Sequence, residues 1–367
     1  MALTVGVVGG GQLARMMIPA AQALGVDVQV LAEQPGSPAA LAATSVGDYR
    51  DEKALKRFAE EVDVLTFDHE HVPTELLSTL EAEGVAVRPG AHALVFAQDK
   101  ALMRSRLQEV SVPLPDWSIA DKESHVEAFL SRHGGEVVAK TPRGGYDGKG
   151  VRVIKNSGDV ADWLRTGTVL LEQMIRFDRE LAQLVARSPS GQLSVFPLVQ
   201  TTQRDGVCAE VIAPAPQVSE ALAAETADIA IAIAEALDVT GLLAVELFQV
   251  DDQVVINELA MRPHNSGHVF TEGALTSQFE QHLRAVLDWP LGDVSLVHPW
   301  SVMVNLFGDA GNERIRTSLQ FSNRVRPHAY GKEPRPGRKA GHIVVSGDKL
   351  DDVLRIARGA AEAGEST

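Results

Sequence analysis

Residues 3–8 form an apolar run that stops at Gly9-Gly10-Gly11, residues 12–24 carry apolar side chains at helical spacing, and residues 26–31 form a second apolar run. That order constrains the fold more than any other feature of the chain. Two short strands joined through a helix must lie parallel, since the connection crosses back over the sheet, and such crossovers are right-handed. Strand candidates at 62–67 and 85–88, with a helix expected over 74–83 between them, extend the opening into a doubly wound α/β unit.

In Val112-Pro113-Leu114-Pro115-Asp116 two prolines lack backbone donors and stop the helix expected over 91–108, so a domain boundary falls near Ser111. Beyond it the pattern changes to clustered short strands at 137–140, 151–155, 169–173, 180–187 and 192–200, the signature of an α+β unit. A helix over 220–237, strands at 242–250 and 254–259 and a helix over 277–287 complete that unit. From Trp300 the chain reads as a small strand-rich cap ending in a helix over 350–361. The expected domains are 1–110, 111–295 and 296–367.

Gly9-Gly10-Gly11-Gln12-Leu13-Ala14 fits the pattern G-x-G-x-x-A after a strand, and Glu33 stands near the end of the next strand, where a ribose-binding acid belongs in an NAD site. The physics is less specific. Amides at a helix N-terminus bind any anion, a mononucleotide phosphate included, and a tight turn alone is the competing reading.

The second cluster, Thr141-Pro142-Arg143-Gly144-Gly145-Tyr146-Asp147-Gly148-Lys149-Gly150, lies between two strand candidates. It is not a Walker loop, because Gly150 stands where Ser or Thr would hold magnesium. A flap over phosphates fits better, with Lys140 aiming a fixed charge at the same oxygens. A glycine-rich hairpin without function is the alternative, although glycines weaken a hairpin unless something compensates.

Glu246 and Glu258 flank a turn at Asp251-Asp252-Gln253, and if Val250 pairs with Val254 the same register sets the two carboxylates face to face. Directly opposed like charges destabilise a sheet. A divalent cation removes that penalty, and magnesium prefers one or two carboxylates together with nucleotide phosphate oxygens. Phe248 and Ile256 fall on the same face as an apolar floor; solvated surface glutamates are the rival reading. Next come Asn257 and Arg262-Pro263-His264-Asn265-Ser266-Gly267-His268. His264 and His268 have helical zinc-ligand spacing, but Asn265-Ser266-Gly267 reads as loop and disfavours it.

Lysine and arginine number 34 against 49 aspartates and glutamates, a formal charge of -15 that argues against a nucleic-acid or anionic-membrane surface. A phosphate site must then be a local basic concentration. Residues 324–339 supply one, with Arg324, Arg326, Lys332, Arg335, Arg338 and Lys339 against Glu333; a solvated basic loop is the alternative. The only cysteine, Cys208, rules out an intrachain disulfide and reads as a core residue. No stretch of about 18 apolar residues occurs, and the N-terminus runs straight into a strand, so a soluble, untargeted cytoplasmic protein is expected.

Flap, preceding lysine, paired glutamates and the opening mononucleotide-type unit together resemble the ATP-grasp superfamily. More narrowly, Gly9-Gly10-Gly11-Gln12-Leu13, the Gly144–Gly150 flap, Asn257-Glu258, the Arg262–His268 string and Tyr330-Gly331-Lys332 look like the 5-(carboxyamino)imidazole ribonucleotide synthetase family, over nearly the whole chain. The resemblance implies an ATP-grasp fold combining α/β and α+β parts, with an N-terminal Rossmann-like domain of the biotin carboxylase N-terminal kind and a small C-terminal strand-rich domain. Within 111–295 it implies a lid over about 118–188 and a metal-bearing half over about 189–295. It further implies a cytoplasmic, homodimeric carbon–nitrogen ligase of purine biosynthesis that passes its product to a separate mutase and binds neither nucleic acid nor membrane.

By that resemblance the cofactors would be ATP and Mg2+, with Mn2+ as a substitute. Lys100, Lys140 and the flap residues Gly144, Gly145, Gly148, Lys149 and Gly150 would contact ATP phosphates, Glu172 and Gln173 would border the adenine, and Glu180 would bind ribose hydroxyls. Phe248 and Asn257 would complete the nucleotide site, and Glu246 and Glu258 would hold the metal. Tyr146, Asp147, Arg262, His264 and Asn265 would surround bicarbonate and the acceptor amine. Aminoimidazole ribonucleotide would meet Gly11, Gln12, Leu13, Ser37, Glu70, Lys332 and Arg338, its phosphate lying among Gln12, Ser37, Lys332 and Arg338.

The implied chemistry suits these parts. Bicarbonate is a poor electrophile, so phosphorylation gives carboxyphosphate a leaving group, and catalysis reduces to positioning and charge neutralisation. Asp147 is the expected proton acceptor, and the flap must close before the anhydride forms. The alternatives are a sister ligase, of the formate-dependent glycinamide ribonucleotide transformylase or biotin carboxylase type, an NAD-dependent oxidoreductase, which leaves flap and glutamates unexplained, and a non-catalytic nucleotide sensor.

Overall fold

The computed structural model describes residues 2–145 and 150–363. Four parallel strands form the N-terminal sheet in the order Ala43–Val46, Asp27–Ala32, Thr4–Val8, Val64–Phe67. Val5, Val7 and Val8 are wholly buried, as consecutive apolar positions are when a parallel strand is covered on both faces. Residues 85–88, expected as a strand, contribute only a bridge from Val87 to Leu65, because Pro89 follows and has no N–H with which to continue a ladder.

The helix expected over 91–108 is two helices, Ala91–Gln98 and Lys100–Val110. Asp99 breaks them, its carboxylate accepting from the Ala101 and Leu102 amides at 3.0 and 3.1 Å and so capping the second helix. The break fixes Lys100 beside the flap, where its backbone N–H donates to Pro142 O at 2.9 Å.

A small antiparallel sheet, ordered Trp117–Ala120, Val169–Gln173, Val137–Lys140, Val151–Ile154, packs through Val137, Ala139 and Leu171 on Phe129 and Leu130 of the Glu123–Arg132 helix. A nine-stranded sheet begins with the hairpin of Gln253–Ala260 and Gly241–Val250 and continues through Arg179–Arg187, on which the short Leu193–Val195 also pairs, Val199–Arg204 and Val207–Ala213. It then runs into Trp300–Gly308, Arg335–Gly347 and Arg326–Ala329, so the sheet passes residue 296 without a break. Arg179–Arg187, given to the lid on sequence, is an inner strand of this sheet, and its nearly unbroken buried stretch over 181–186 is the reason. The C-terminal part also holds the Asn312–Phe321 helix, unforeseen in the sequence, and the Leu350–Glu362 helix.

Helix Gln278–Val286 buries Phe279, Leu283 and Val286 in the N-terminal core beside Leu13 and Met17, so the middle of the chain closes the first unit. None of the described helices is long and apolar enough to cross a membrane.

Candidate active site

A cavity of about 390 Å³ lies between the small sheet and the glutamate hairpin, within the size range of small-ligand pockets. Glu246 and Glu258 are direct partners across that hairpin and both line the cavity. Beyond them the expected register fails: Leu247 pairs with Ile256 and Val250 with Gln253, so Phe248 faces Val255 rather than Ile256. The cause is a β-bulge in which Asn257 is the extra residue. Its carbonyl accepts from Arg104 Nη2 at 2.7 Å, its Oδ1 accepts from Lys140 Nζ at 3.2 Å, and its Nδ2 donates to Glu246 Oε2 at 3.5 Å.

Each hairpin glutamate has its own cationic or hydrogen-bonding partner. Glu258 Oε1 meets Lys100 Nζ at 2.8 Å, and Glu246 Oε1 meets His264 Nε2 at 3.1 Å. Burial pushes the Glu246 carboxyl up, but the His264 hydrogen bond and the charges of Lys140 and Lys339 prevail and hold it below the ordinary carboxylate range. Lys100 also reaches Gly145 O at 3.4 Å, tying the flap's first residues to the same corner. Gly144 and Gly150 adopt φ of 80° and 73°, a region where a side chain is strained, which explains glycine at the two flap ends. Tyr146, Asp147, Gly148 and Lys149 lie outside the described residues.

Glu172 is buried between Arg104 Nε at 2.6 Å and Lys140 Nζ at 2.7 Å. Burial opposes its ionisation, yet the two cations overcome this and hold the carboxyl low. It lines the cavity, and its carboxylate anchors a lysine and an arginine. Gln173, Met174, Ile175 and Phe177 continue that wall, with Phe177 stacked on Phe248 at 4.5 Å. Glu180 sits opposite Phe248 on the next strand; burial first, then the Glu246 charge, pushes its carboxyl up to about 7.

A second group of residues surrounds the N-terminal glycine turn. Lys332 Nζ donates to Gln12 Oε1 at 2.6 Å and to Lys339 O at 3.2 Å, and Arg15 donates to Ala329 O and Pro38 O. The C-terminal segment is thereby docked on the glycine turn. Ser37 Oγ is buried there without a hydrogen-bond partner. The helix N-terminus is not the open anion site expected, because Asp68 Oδ1 accepts from the Ala14 amide at 2.8 Å and the Leu13 amide also faces Asp68. A Cβ on Gly11 would lie 2.0 Å from Asp68 Oδ2, so glycine here admits an internal carboxylate. Leu13 itself is a core side chain, and Glu33 pairs at the surface with Arg50 at 3.5 Å, which removes the features behind the NAD reading.

Between the two groups, Arg262 Nε donates to Glu70 Oε2 at 2.6 Å, joining the hairpin exit to the N-terminal sheet. His264 and His268 do not converge as a zinc pair: His264 turns to Glu246, whereas the buried His268 bonds Gln278 at 2.8 Å and stacks on His342. Asn265 is held in a buried amide pair with Asn305, which also binds Cys208 O.

Three family models match this chain: the ribonucleotide synthetase preATP-grasp domain over residues 1–98, the ATP-grasp domain over 105–279 and the phosphoribosylaminoimidazole carboxylase C-terminal domain over 301–356. The N5-carboxyaminoimidazole ribonucleotide synthase of Mycobacterium bovis is 47% identical, over 97% of this chain and 86% of its own. The chain belongs to the N5-carboxyaminoimidazole ribonucleotide synthase family. The enzyme of that name from Corynebacterium ammoniagenes is 42% identical over 98% of this chain and 91% of its own. Among solved N5-carboxyaminoimidazole ribonucleotide synthases, that of Thermus thermophilus superposes with a TM-score of 0.91 at 36% identity, covering 99% of both chains. The Aspergillus clavatus enzyme, crystallised with ADP and 5-aminoimidazole ribonucleotide, gives 0.89 at 28% identity over 100% of this chain and 99% of its own.

In this member of the N5-carboxyaminoimidazole ribonucleotide synthase family the basic run over 324–339 is not one anion site. Arg324 pairs with Asp352 and Arg326 donates to Asn323 O, while Arg338 is exposed with its guanidinium on Glu333 O. Lys332 and Lys339 alone of the six reach the two groups described here, since neighbouring residues of an edge segment face different ways. Arg104, Phe177 and Asp68 were missed as site residues, and Lys339 entered only as one of the basic run over 324–339. Of the three missed, Arg104 had a signal, standing four residues after Lys100 on one helix face.

Proposed function

We propose that the chain carboxylates 5-aminoimidazole ribonucleotide on its 5-amino group, using ATP and bicarbonate and forming N5-carboxyaminoimidazole ribonucleotide, ADP and phosphate through carboxyphosphate. The observation that carries this reading is the Glu246–Glu258 pair, set in one cavity with Lys100 and Lys140 and linked through His264 and Arg262 to the glycine-turn group.

In this reading ATP lies with its adenine on the wall of Gln173 to Ile175 and its ribose near Glu180, while Lys100 and Lys140 neutralise phosphate charge. The donor set fits a divalent cation. Two carboxylates share a cavity, and among the described residues no group of three or more His, Cys, Asp or Glu could hold a metal, so nucleotide oxygens would complete a magnesium shell. When bound, Mg2+, or Mn2+ in its place, would screen charge on the transferring phosphoryl group. Glu246 and Glu258 would hold it, with Asn257 and His264 fixing Glu246 from two sides.

Arg262, His264 and Asn265 face the bicarbonate and the amine, with Arg262 stabilising carboxyl and phosphoryl oxygens. The ribonucleotide lies toward Gln12, Ser37, Glu70 and Lys332; the unsatisfied Ser37 hydroxyl favours a polar ligand there. Tyr146 and Asp147 act from the flap, Asp147 as proton acceptor, on the strength of the sequence resemblance. A cytoplasmic homodimer that hands its product to a separate mutase, with domains at 1–110, 111–295 and 296–367, belongs to the same reading.

The test is ADP release measured with bicarbonate, with and without 5-aminoimidazole ribonucleotide. Release stimulated by the ribonucleotide is expected, with no absorbance change on adding NAD. Formate dependence in place of bicarbonate would move the chain to the transformylase type.

A further inference from the structure

Gln278 is wholly buried at the first position of the Gln278–Val286 helix, and its side-chain amide is engaged by one loop. Oε1 accepts from the His264 N–H at 2.9 Å, and Nε2 donates to His264 O at 2.9 Å and to His268 Nδ1 at 2.8 Å. The orientation of the amide is not arbitrary. A backbone N–H requires an oxygen opposite it and a backbone carbonyl requires an N–H, so the two His264 groups fix which end is which. Gln278 thus clamps His264 as a paired strand would, through donor and acceptor at once.

The His264 ring is fixed just as closely. Ser266 N donates to Nδ1 at 3.4 Å and Ser266 Oγ lies 2.9 Å from it, so Nδ1 accepts and Nε2 carries the hydrogen. That Nε2 faces Glu246 Oε1 at 3.1 Å. Gly267 leaves room for the arrangement, since a Cβ there would stand 2.2 Å from Gln278 Oε1 and 2.5 Å from Leu184 Cδ2. The same helix carries Phe279, Leu283 and Val286 into the N-terminal core, so the clamp is anchored to the unit that bears the glycine turn.

We infer that Gln278 is a positioning residue that, by clamping the His264 backbone, holds the imidazole against Glu246. The consequence for turnover rests on the ligase reading; the hold on His264 does not. Two measurements separate them. The first is histidine-selective 15N NMR of the full chain. In Gln278→Met the His264 ring signals should shift, and in Gly267→Ala, which displaces the same amide, they should shift likewise, while the signals of His125, on the Glu123–Arg132 helix of the small-sheet unit, stay in place. The second is a double-mutant cycle on ADP release stimulated by 5-aminoimidazole ribonucleotide. Gln278→Met alone should lower kcat roughly tenfold or more with the KM for ATP changed less than about threefold, and added to His264→Ala it should cost less than about twofold more. Unmoved His264 signals in both variants, or losses that multiply in the double mutant, would overturn the inference. A wild-type chain without stimulated ADP release, but with shifted His264 signals in the variants, would defeat the ligase reading and leave the hold on His264 supported.

Discussion

Glu246 stands directly across the hairpin from Glu258, yet the two carboxylates are held by different partners, Glu246 by His264 and Glu258 by Lys100. Opposed like charges are tolerated because each is compensated from its own side. The lysine comes from a helix that begins at the break after Asp99, and the histidine from the loop that follows the hairpin. Substituting either glutamate should therefore disturb the cavity without unfolding the sheet. Glu258→Gln is expected to lower kcat/KM for ATP by about a hundredfold or more, as removal of transition-state charge stabilisation does, with a thermal midpoint close to wild type. Steady-state kinetics and calorimetry on the same preparation check both halves.

Arg104 is buried with Glu172 and also holds the carbonyl of the Asn257 bulge. Arg104→Met leaves Glu172 buried with Lys140 as its one remaining cation and frees the bulge. Breaking one side of a buried pair costs about 3–5 kcal/mol, which urea denaturation should register as a lowered midpoint. A change below about 1 kcal/mol would mean that the pair contributes little.

Lys332 links the C-terminal segment to Gln12 on the glycine turn. Lys332→Met should raise the KM for 5-aminoimidazole ribonucleotide about tenfold or more and leave the KM for ATP within about twofold, because the lysine lies away from the cavity wall that carries Gln173 and Phe248. Equal effects on both would show that the segment shapes the whole site.

His282 is wholly buried, taking the Leu242 amide on Nδ1 at 3.1 Å and meeting Thr66 Oγ1 through Nε2 at 2.8 Å. Burial lowers its pKa to about 3. A histidine whose folded pKa lies below its unfolded value of about 6.5 binds a proton more readily when unfolded, so its contribution is complete above pH 6.5 and declines as pH falls toward 3. The decline amounts to roughly 1.4 kcal/mol per pH unit inside that window. The urea unfolding midpoint should fall accordingly from pH 7 to pH 4, and His282→Gln should flatten that dependence on pH.

The opening α/β unit was legible because strand and helix periods are local properties, and 12–24 against 3–8 differ in period within a few residues. The opposition of Glu246 and Glu258 was expected from a pairing of Val250 with Val254 that does not occur; Val250 pairs with Gln253, and the extra residue at Asn257 restores the opposition. The bulge at Asn257 was not legible. It adds one residue to one strand, and what stabilises it comes from distant sequence: Arg104 on the Asn257 carbonyl and Pro113 O accepting from Ile256 N at 2.9 Å. Asp68 filling the helix N-terminus and Gln278 clamping His264 were invisible for a related reason, since a buried polar side chain finds its partner only when the tertiary fold brings the two together. The resemblance put Arg179–Arg187 with the lid, whereas Gly241–Val250 and Val199–Arg204 pair with it, partners that lie outside the range given to the lid.

Transfer of bicarbonate carbon to the exocyclic amine of the ribonucleotide at the expense of ATP can be followed by 13C NMR of the reaction with 13C-bicarbonate and 5-aminoimidazole ribonucleotide carrying 15N at that amine. A new carbon signal split by one-bond coupling to the labelled nitrogen is expected, appearing in step with ADP. ADP formed while the label stays in bicarbonate, or a product carbon without that coupling, would contradict that transfer.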